Sequence, residues 1–213
     1  MNFWSFITQN RYEVASLTLE HLWIVGISTV LAVVVGIPLG VLITRKRSLH
    51  KPVIAIANII QTIPSLALFG FLLPAPWIGE RAERLAILAL TLYALLPLIR
   101  NTYVGITSVD RAIVDAARGM GLTDWQLLYK VELPLAASVI LAGIRVALVI
   151  SIGLATIAAA IGAGGLGELI FRGLAMVNNS VILAGAIPAA VMALLADSLL
   201  GWLEKRFTPQ RAA

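Results

Sequence analysis

From Leu22 to Thr44 the chain runs 23 residues without one charged side chain. A helix of that length, rising about 1.5 Å per residue, crosses a hydrocarbon layer of about 30 Å. Inside such a layer only helices and closed barrels keep their backbone N–H and C=O groups paired. The pattern recurs along the chain. An uncharged run covers Pro52–Gly79, of which Val53–Leu73 is read as a helix with Pro64 inside it, ended by Pro74-Ala75-Pro76. Further spans are expected at about 85–107, with Pro97 and Arg100, at about 135–160, with Arg145, and at about 180–203, with Pro188 and Asp197. The apolar stretch Ile161–Val177 is expected to be a broken or re-entrant element, because its core Gly162–Glu168 is mostly glycine. Five spans (about 22–44, 53–73, 85–107, 135–160 and 180–203) therefore organise the chain as an all-α polytopic membrane protein. Residues 1–20 precede the membrane domain 21–207, and a short tail, 208–213, follows it.

Composition agrees. Hydrophobic residues make up 60% of the chain, charged residues 13%, and the mean hydropathy is +0.94. A soluble domain averages about 45–50% apolar and about 25% charged, so a soluble enzyme, a disordered chain and a coiled coil are all disfavoured. Met1–His21 carries Glu13 and Glu20 against Arg11, unlike the basic start of a cleavable signal peptide. The formal charge of +5 does not point to nucleic acid, because the basic residues sit in short clusters between apolar runs. There is no cysteine, and the two histidines, His21 and His50, lie far apart in sequence, so no metal site is assigned.

Those basic clusters orient the spans. Arg45, Lys46, Arg47 and Lys51, then Arg111, Arg118 and Lys130, then Lys205, Arg206 and Arg211 fall on one side, ten in all. Arg11, Arg81, Arg84 and Arg172 fall on the other. Lys and Arg concentrate in cytoplasmic loops, so the N-terminus is expected outside and the C-terminus in the cytoplasm.

The basic loop 108–134 is patterned. Ile113, Ala116 and Ala117 recur at helical spacing, Gly121 can end that helix, and Thr123 with Gln126 forms a capping-box pair for a second. Trp125, Leu128 and Tyr129 are expected to form the second helix's apolar face, and Leu133-Pro134 to break it before the fourth span. From these residues alone the pair fits either a knob docking into a cytosolic partner or an amphipathic hairpin lying on lipid.

One pattern is more specific. Asp115-Ala116-Ala117, three residues, Gly121, nine residues, Val131, one residue, then Leu133-Pro134 resembles the EAA motif of ABC importer permeases. That motif has Glu-Ala-Ala, Gly, Ile and Leu-Pro at the same spacing, and Asp115 and Val131 are conservative departures. Gln61–Leu68 and Gly162–Ile170 resemble the glycine betaine/carnitine/choline (osmoprotectant) subfamily, and the likeness covers about Leu17 to Phe207. The resemblance implies a five-span core of the type I, methionine-permease-like importer fold. It makes Asp115, Ala116, Ala117, Gly121, Leu133 and Pro134 the ATPase-coupling residues. It also implies a cytosolic ATP-binding subunit dimer, a second permease chain, identical or homologous, an external solute-binding protein, and a small polar or quaternary ammonium solute. Methionine, another amino acid or an alkylsulfonate is the alternative solute, and a secondary transporter or channel without an ATPase is the alternative class.

The remaining signals are weighed beside this. Gly162-x-Gly164-x-x-Gly167 matches a dinucleotide fingerprint, but it follows a membrane helix rather than a strand, so no cofactor is assigned. Gly162, Gly164, Gly165 and Gly167 fit either an external gate or tight helix packing. No Gly-Lys pair exists, hence no phosphate-binding loop, and no catalytic residue is assigned. Arg145 and Asp197 are the expected intramembrane ion pair, with Arg100 the other possible partner, since buried charges are costly unless paired. Asn58, Gln61, Thr62 and Ser65 around Pro64 form a polar strip, the preferred pathway lining. Trp23, Phe69, Phe71, Trp77 and Tyr93 are candidate aromatic faces for an ammonium, and no single cage is selected among them.

Overall fold

Every long apolar run folds as helix. The structure, a computed structural model, describes residues 3–74 and 81–207. In chain order the helices are α1 (Phe3–Gln9), α2 (Arg11–Arg45), α3 (Arg47–Thr62), α4 (Ser65–Leu72), α5 (Ala82–Thr107), α6 (Arg111–Gly119), α7 (Asp124–Leu127), α8 (Leu133–Ala158), α9 (Gly167–Ala175) and α10 (Asn179–Phe207). A π-helical turn, Leu128–Glu132, joins α7 to α8, and a 3₁₀ turn, Ala159–Ile161, follows α8. Four helical stretches are long and apolar enough to cross a membrane; α3 and α4 together make a fifth, bent by 100°. Trp77, Gly79 and the tail 208–213 lie outside the described residues.

Small residues set the packing. In lipid the tails are as apolar as the side chains, so helices associate by close contact rather than by escape from water. Gly36 and Gly40 of α2 lie one helical turn apart against α5: a Cβ on Gly36 would stand 2.8 Å from Leu98 Cβ, and one on Gly40 2.5 Å from Thr102 Cβ. Higher on the same seam, Thr91 Oγ1 donates to Ser28 O at 3.3 Å. The sequence offsets are nearly constant, so α2 and α5 run parallel. On α5's other flank, a Cβ added to Gly143 of α8 would stand 2.6 Å from Asn101 Cβ and one added to Gly105 3.2 Å from Ala136 Cβ, a descending pairing that makes α8 antiparallel. The interior lies on this α2–α5–α8 layer, with Leu85, Ala86, Ala89, Leu90, Ile152 and Phe69 fully or almost fully buried. α10 closes the bundle against α8 and α9, where a Cβ on Gly185 would stand 2.5 Å from Leu166 O.

Two expectations are corrected. First, Pro64 does not sit inside one helix. It lacks an N–H and disfavours helical geometry in the residue before it; Ile63 adopts φ −68°, ψ 127°, and the chain turns. Tyr93 Oη of α5 donates to the Ile63 carbonyl, which satisfies the broken point. Second, Leu133-Pro134 does not break the chain. Asp124–Ile161 is one continuous helical stretch, because Leu133 N bonds back to Leu128 O in the wide π turn and Pro134 occupies the first turn of α8, where a missing N–H is tolerated. The first expected span, 22–44, lies within the longer helix α2, which begins at Arg11. The 35 residues of α2 extend about 52 Å, and α1 packs Phe6 beside Leu17, Leu166 and Leu169.

Gly40→Leu is expected to force α2 from α5 and cost about 1–3 kcal/mol, the usual range for overpacking. Gly26→Ala, with nothing within 4 Å of its added Cβ, is expected to be neutral. Denaturant unfolding in detergent distinguishes the two.

Candidate functional site: a helical knob at one end and a glycine turn at the other

The knob is assembled from short-range signals. Asp110 caps α6 by accepting from Ala112 N at 2.9 Å. Gly121, at φ +83°, supplies the left-handed residue that ends α6; its N–H bonds Arg118 O at 2.9 Å, and Leu122 N bonds Ala117 O at 3.2 Å. Thr123 then caps α7. Its hydroxyl accepts from Gln126 N and Gln126 Oε1 accepts from Thr123 N at 3.0 Å, a complete capping box. Asp115 and Ala116 are exposed on α6, Ala117 is buried, Leu133 is half-buried and Pro134 is exposed.

Of the residues expected on α7's apolar face, Trp125 and Tyr129 share an exposed face and Leu128 does not. Leu127 and Leu128 turn inward, whereas Trp125 is 66% and Tyr129 56% exposed, their rings 4.6 Å apart. Because α7 continues into α8, the buried line Leu128–Glu132–Ala136–Ile140 of the long helix sets the phase. Met120 and Ile113 are also exposed, so the knob presents apolar side chains outward. A cavity of about 860 Å³ lies between it and α2, walled by Ile37, Val41, Arg45, Arg118, Trp125 and Tyr129.

One contact here was not anticipated. Glu132, only 4% exposed, is gripped by both guanidinium nitrogens of Arg45, with Nη1–Oε1 at 3.0 Å. The available signal was that Glu132 is the sole acid between Asp124 and Glu168. Further along α8, Arg145 Nε lies 3.4 Å from Asp197 Oδ1, and its Nη1 lies 3.3 Å from Glu204, a partner not foreseen from the sequence. Arg100 is exposed.

The polar strip flanks the α3–α4 bend. Gln61 Nε2 donates to Tyr93 O at 3.3 Å and Thr62 Oγ1 to Ile59 O at 2.7 Å; Thr62 and Pro64 are exposed, while Asn58, Gln61 and Ser65 are half-buried. The aromatic candidates separate: Phe69 is fully buried, Phe71 is 74% exposed, and Tyr93 bonds the backbone.

At the far end of α2, Gly162, Gly164 and Gly165 all take positive φ and fold the chain back into α9, a helix of nine residues. Gly165 N donates to Glu20 at 3.2 Å. Gly167 is packed: a Cβ there would meet Thr156 O at 2.0 Å, whereas Gly162 has open space. His21, fully buried, donates through Nε2 to Ile152 O at 3.1 Å. Trp23 Nε1 bonds Glu83 at 3.0 Å. Arg172 pairs with Glu13 at 2.7 Å, a hydrogen bond that holds the guanidinium above its ordinary range.

A bundle of apolar helices with one sharply broken span, bearing an exposed helical knob on its loop-rich end, defines a multi-pass membrane protein. Residues 32–209 match the model of the binding-protein-dependent transport system inner membrane component, and the chain belongs to that family. It is 50% identical over 191 residues to the carnitine transport permease protein OpuCD of Listeria monocytogenes, covering 89% of this chain and 84% of the relative. It is 47% identical to the glycine betaine/carnitine/choline permease protein OpuCD of Bacillus subtilis, covering 96% and 89%. It is 43% identical to the osmoprotectant import permease protein OsmW of Salmonella typhimurium, covering 96% of each. Among solved structures, an inward-facing form of the MetNI methionine ABC transporter superposes with a TM-score of 0.85 at 24% identity, over 93% of this chain and 97% of that one. The fold is therefore that of an ABC importer permease, and the protein is a membrane transport component.

Gly121→Val places a β-branched residue in left-handed geometry and is expected to cost the turn about 1–2 kcal/mol. Gly121→Asn is expected to cost less. Limited proteolysis around residue 121 should be faster for the valine variant alone.

Proposed function

We propose that this chain is the membrane-spanning permease subunit of an ATP-driven importer for osmoprotectants such as glycine betaine, carnitine or choline. The observation that carries the solute class is the 41–50% identity, over nearly the whole chain, to permeases named for those solutes. What supports the motor is the knob: it holds the Asp115–Pro134 pattern and turns Met120, Trp125 and Tyr129 outward. A cytosolic ATP-binding subunit dimer closing on ATP would push there. ATP hydrolysis then belongs to that separate chain.

Five spans are too few to enclose a path for a polar solute, so a second permease chain, identical or homologous, completes it. The α3–α4 bend and its strip Asn58, Gln61, Thr62, Pro64 and Ser65 line the path. The turn Gly162–Gly167 lies at the external face, where a solute-binding protein delivers its cargo. Alternating access follows when the two ends open in turn. The end bearing Arg45–Lys51 and the knob is cytoplasmic, because nine of the described basic residues gather there. Arg145, Asp197 and Glu204 tie α8 to α10 as a structural cluster. The 24% identity to the methionine transporter chain speaks to fold only.

Two measurements test this. The permease, reconstituted with its ATPase and binding protein, is expected to accumulate labelled carnitine, glycine betaine or choline only with ATP; uptake of methionine alone would overturn the solute assignment. Because the chain has no cysteine, Ser48→Cys and Val177→Cys can be labelled singly. The first should react only from the cytoplasm and the second only from outside, and reversed labelling would overturn the orientation.

A further inference from the structure

Resting on that reading, we propose that Arg45 and Glu132 are positioning residues for transport: they form the clasp through which the knob moves α2, and α2 carries the displacement to the glycine turn. Three observations meet in this pair. Glu132 is buried at the π turn where the knob passes into α8, and a buried carboxylate without a partner is strongly disfavoured. Arg45 is the last residue of α2 and holds Glu132 with two parallel bonds. A two-point grip of this kind fixes orientation as well as distance. The knob's other ion pair, Arg118–Asp124 at 3.9 Å, is exposed on both sides and holds nothing comparable.

The second half of the path is α2 itself. It is one unbroken helix from Arg11 to Arg45, and Gly36 and Gly40 seat it on α5 with almost no clearance. Its far end holds the glycine turn directly: Glu20 accepts from Gly165 N, and the ring of His21 stands against Gly165. α8 receives the knob's motion through the covalent chain. α2 has no such covalent link, since the whole of α3–α5 intervenes in sequence; it packs on α8 and bonds it through His21 to Ile152 O near the glycine turn, and the ion pair ties the two helices at the knob's end. The π turn fits this role, as such turns mark functional positions in helices.

The test uses the complete importer in vesicles, reading labelled solute moved per ATP hydrolysed. Arg45→Gln with Glu132→Gln leaves no unpaired charge. The double variant is expected to assemble and hydrolyse ATP, with solute per ATP falling at least about fivefold, the lower range of coupling between sites. The exchanged pair, Arg45→Glu with Glu132→Arg, is expected to recover part of that ratio, whereas Arg45→Lys, which keeps the charge but not the fork, should fall between. A wild-type ratio in the double-Gln variant would overturn the clasp. So would failure of the double-Gln, exchanged and lysine variants alike to assemble, which would make the pair a folding contact only. If the wild-type assembly hydrolyses ATP but moves no solute, the importer reading itself fails, and that control separates the two.

Discussion

The contact on which the rest of this structure depends is the glycine seam between α2 and α5. Lipid offers no gain for hiding one apolar helix against another, so a lasting contact needs backbones near enough for dispersion and weak polar bonds to accumulate. Gly36 and Gly40 permit that approach. Once α2 lies parallel to α5, the ends of both helices reach the same face, and Arg45 arrives beside the segment that follows α5. The antiparallel α8, admitted by Gly143 and Gly105, brings Glu132 to meet it. Moving α2 by one turn along α5 would separate the two charges and leave Glu132 buried alone.

Polar chemistry concentrates at the two ends of the bundle. One end has Arg45–Glu132 and, a few turns along, Arg145 with Asp197 and Glu204. The other has Glu13–Arg172, Glu20 at the glycine turn and Trp23–Glu83. Between them the interior is mostly alanine, leucine and isoleucine, relieved by hydroxyls bonded within a helix, as Ser28 to Val25 O, or across helices, as Thr91 to Ser28 O and Tyr93 to Ile63 O. Two polar ends across an apolar middle suit a chain that crosses a membrane.

Much of the fold was legible in the sequence because it rests on local rules. Uncharged runs marked the spans, glycine clustering marked the turn before α9, and Gly121 with Thr123 and Gln126 marked both short helices of the knob. What escaped depended on distant residues. Pro64 reads as a tolerated kink until Tyr93 supplies a hydroxyl to the Ile63 carbonyl, after which a full bend becomes affordable. Leu128 was grouped with Trp125 and Tyr129 on one apolar face by periodicity, but it turns inward because the phase belongs to α8 downstream. Glu132 looked like one more charge in a loop; only Arg45, 87 positions earlier, explains its burial. The Gly36-x-x-x-Gly40 spacing was visible and carried a known mechanism, yet it was hidden within a run read only for its length.

The π turn has a consequence for the register of everything before it. Each turn of ordinary helix uses 3.6 residues, and the wide turn at Leu128–Glu132 takes in roughly one more. A chain shorter by one residue there would wind as plain α-helix and rotate α7 by about 100° about the axis of α8. Trp125 and the rest of α7 would turn to another side of the long helix, and the exposed surface of the knob would become a different one.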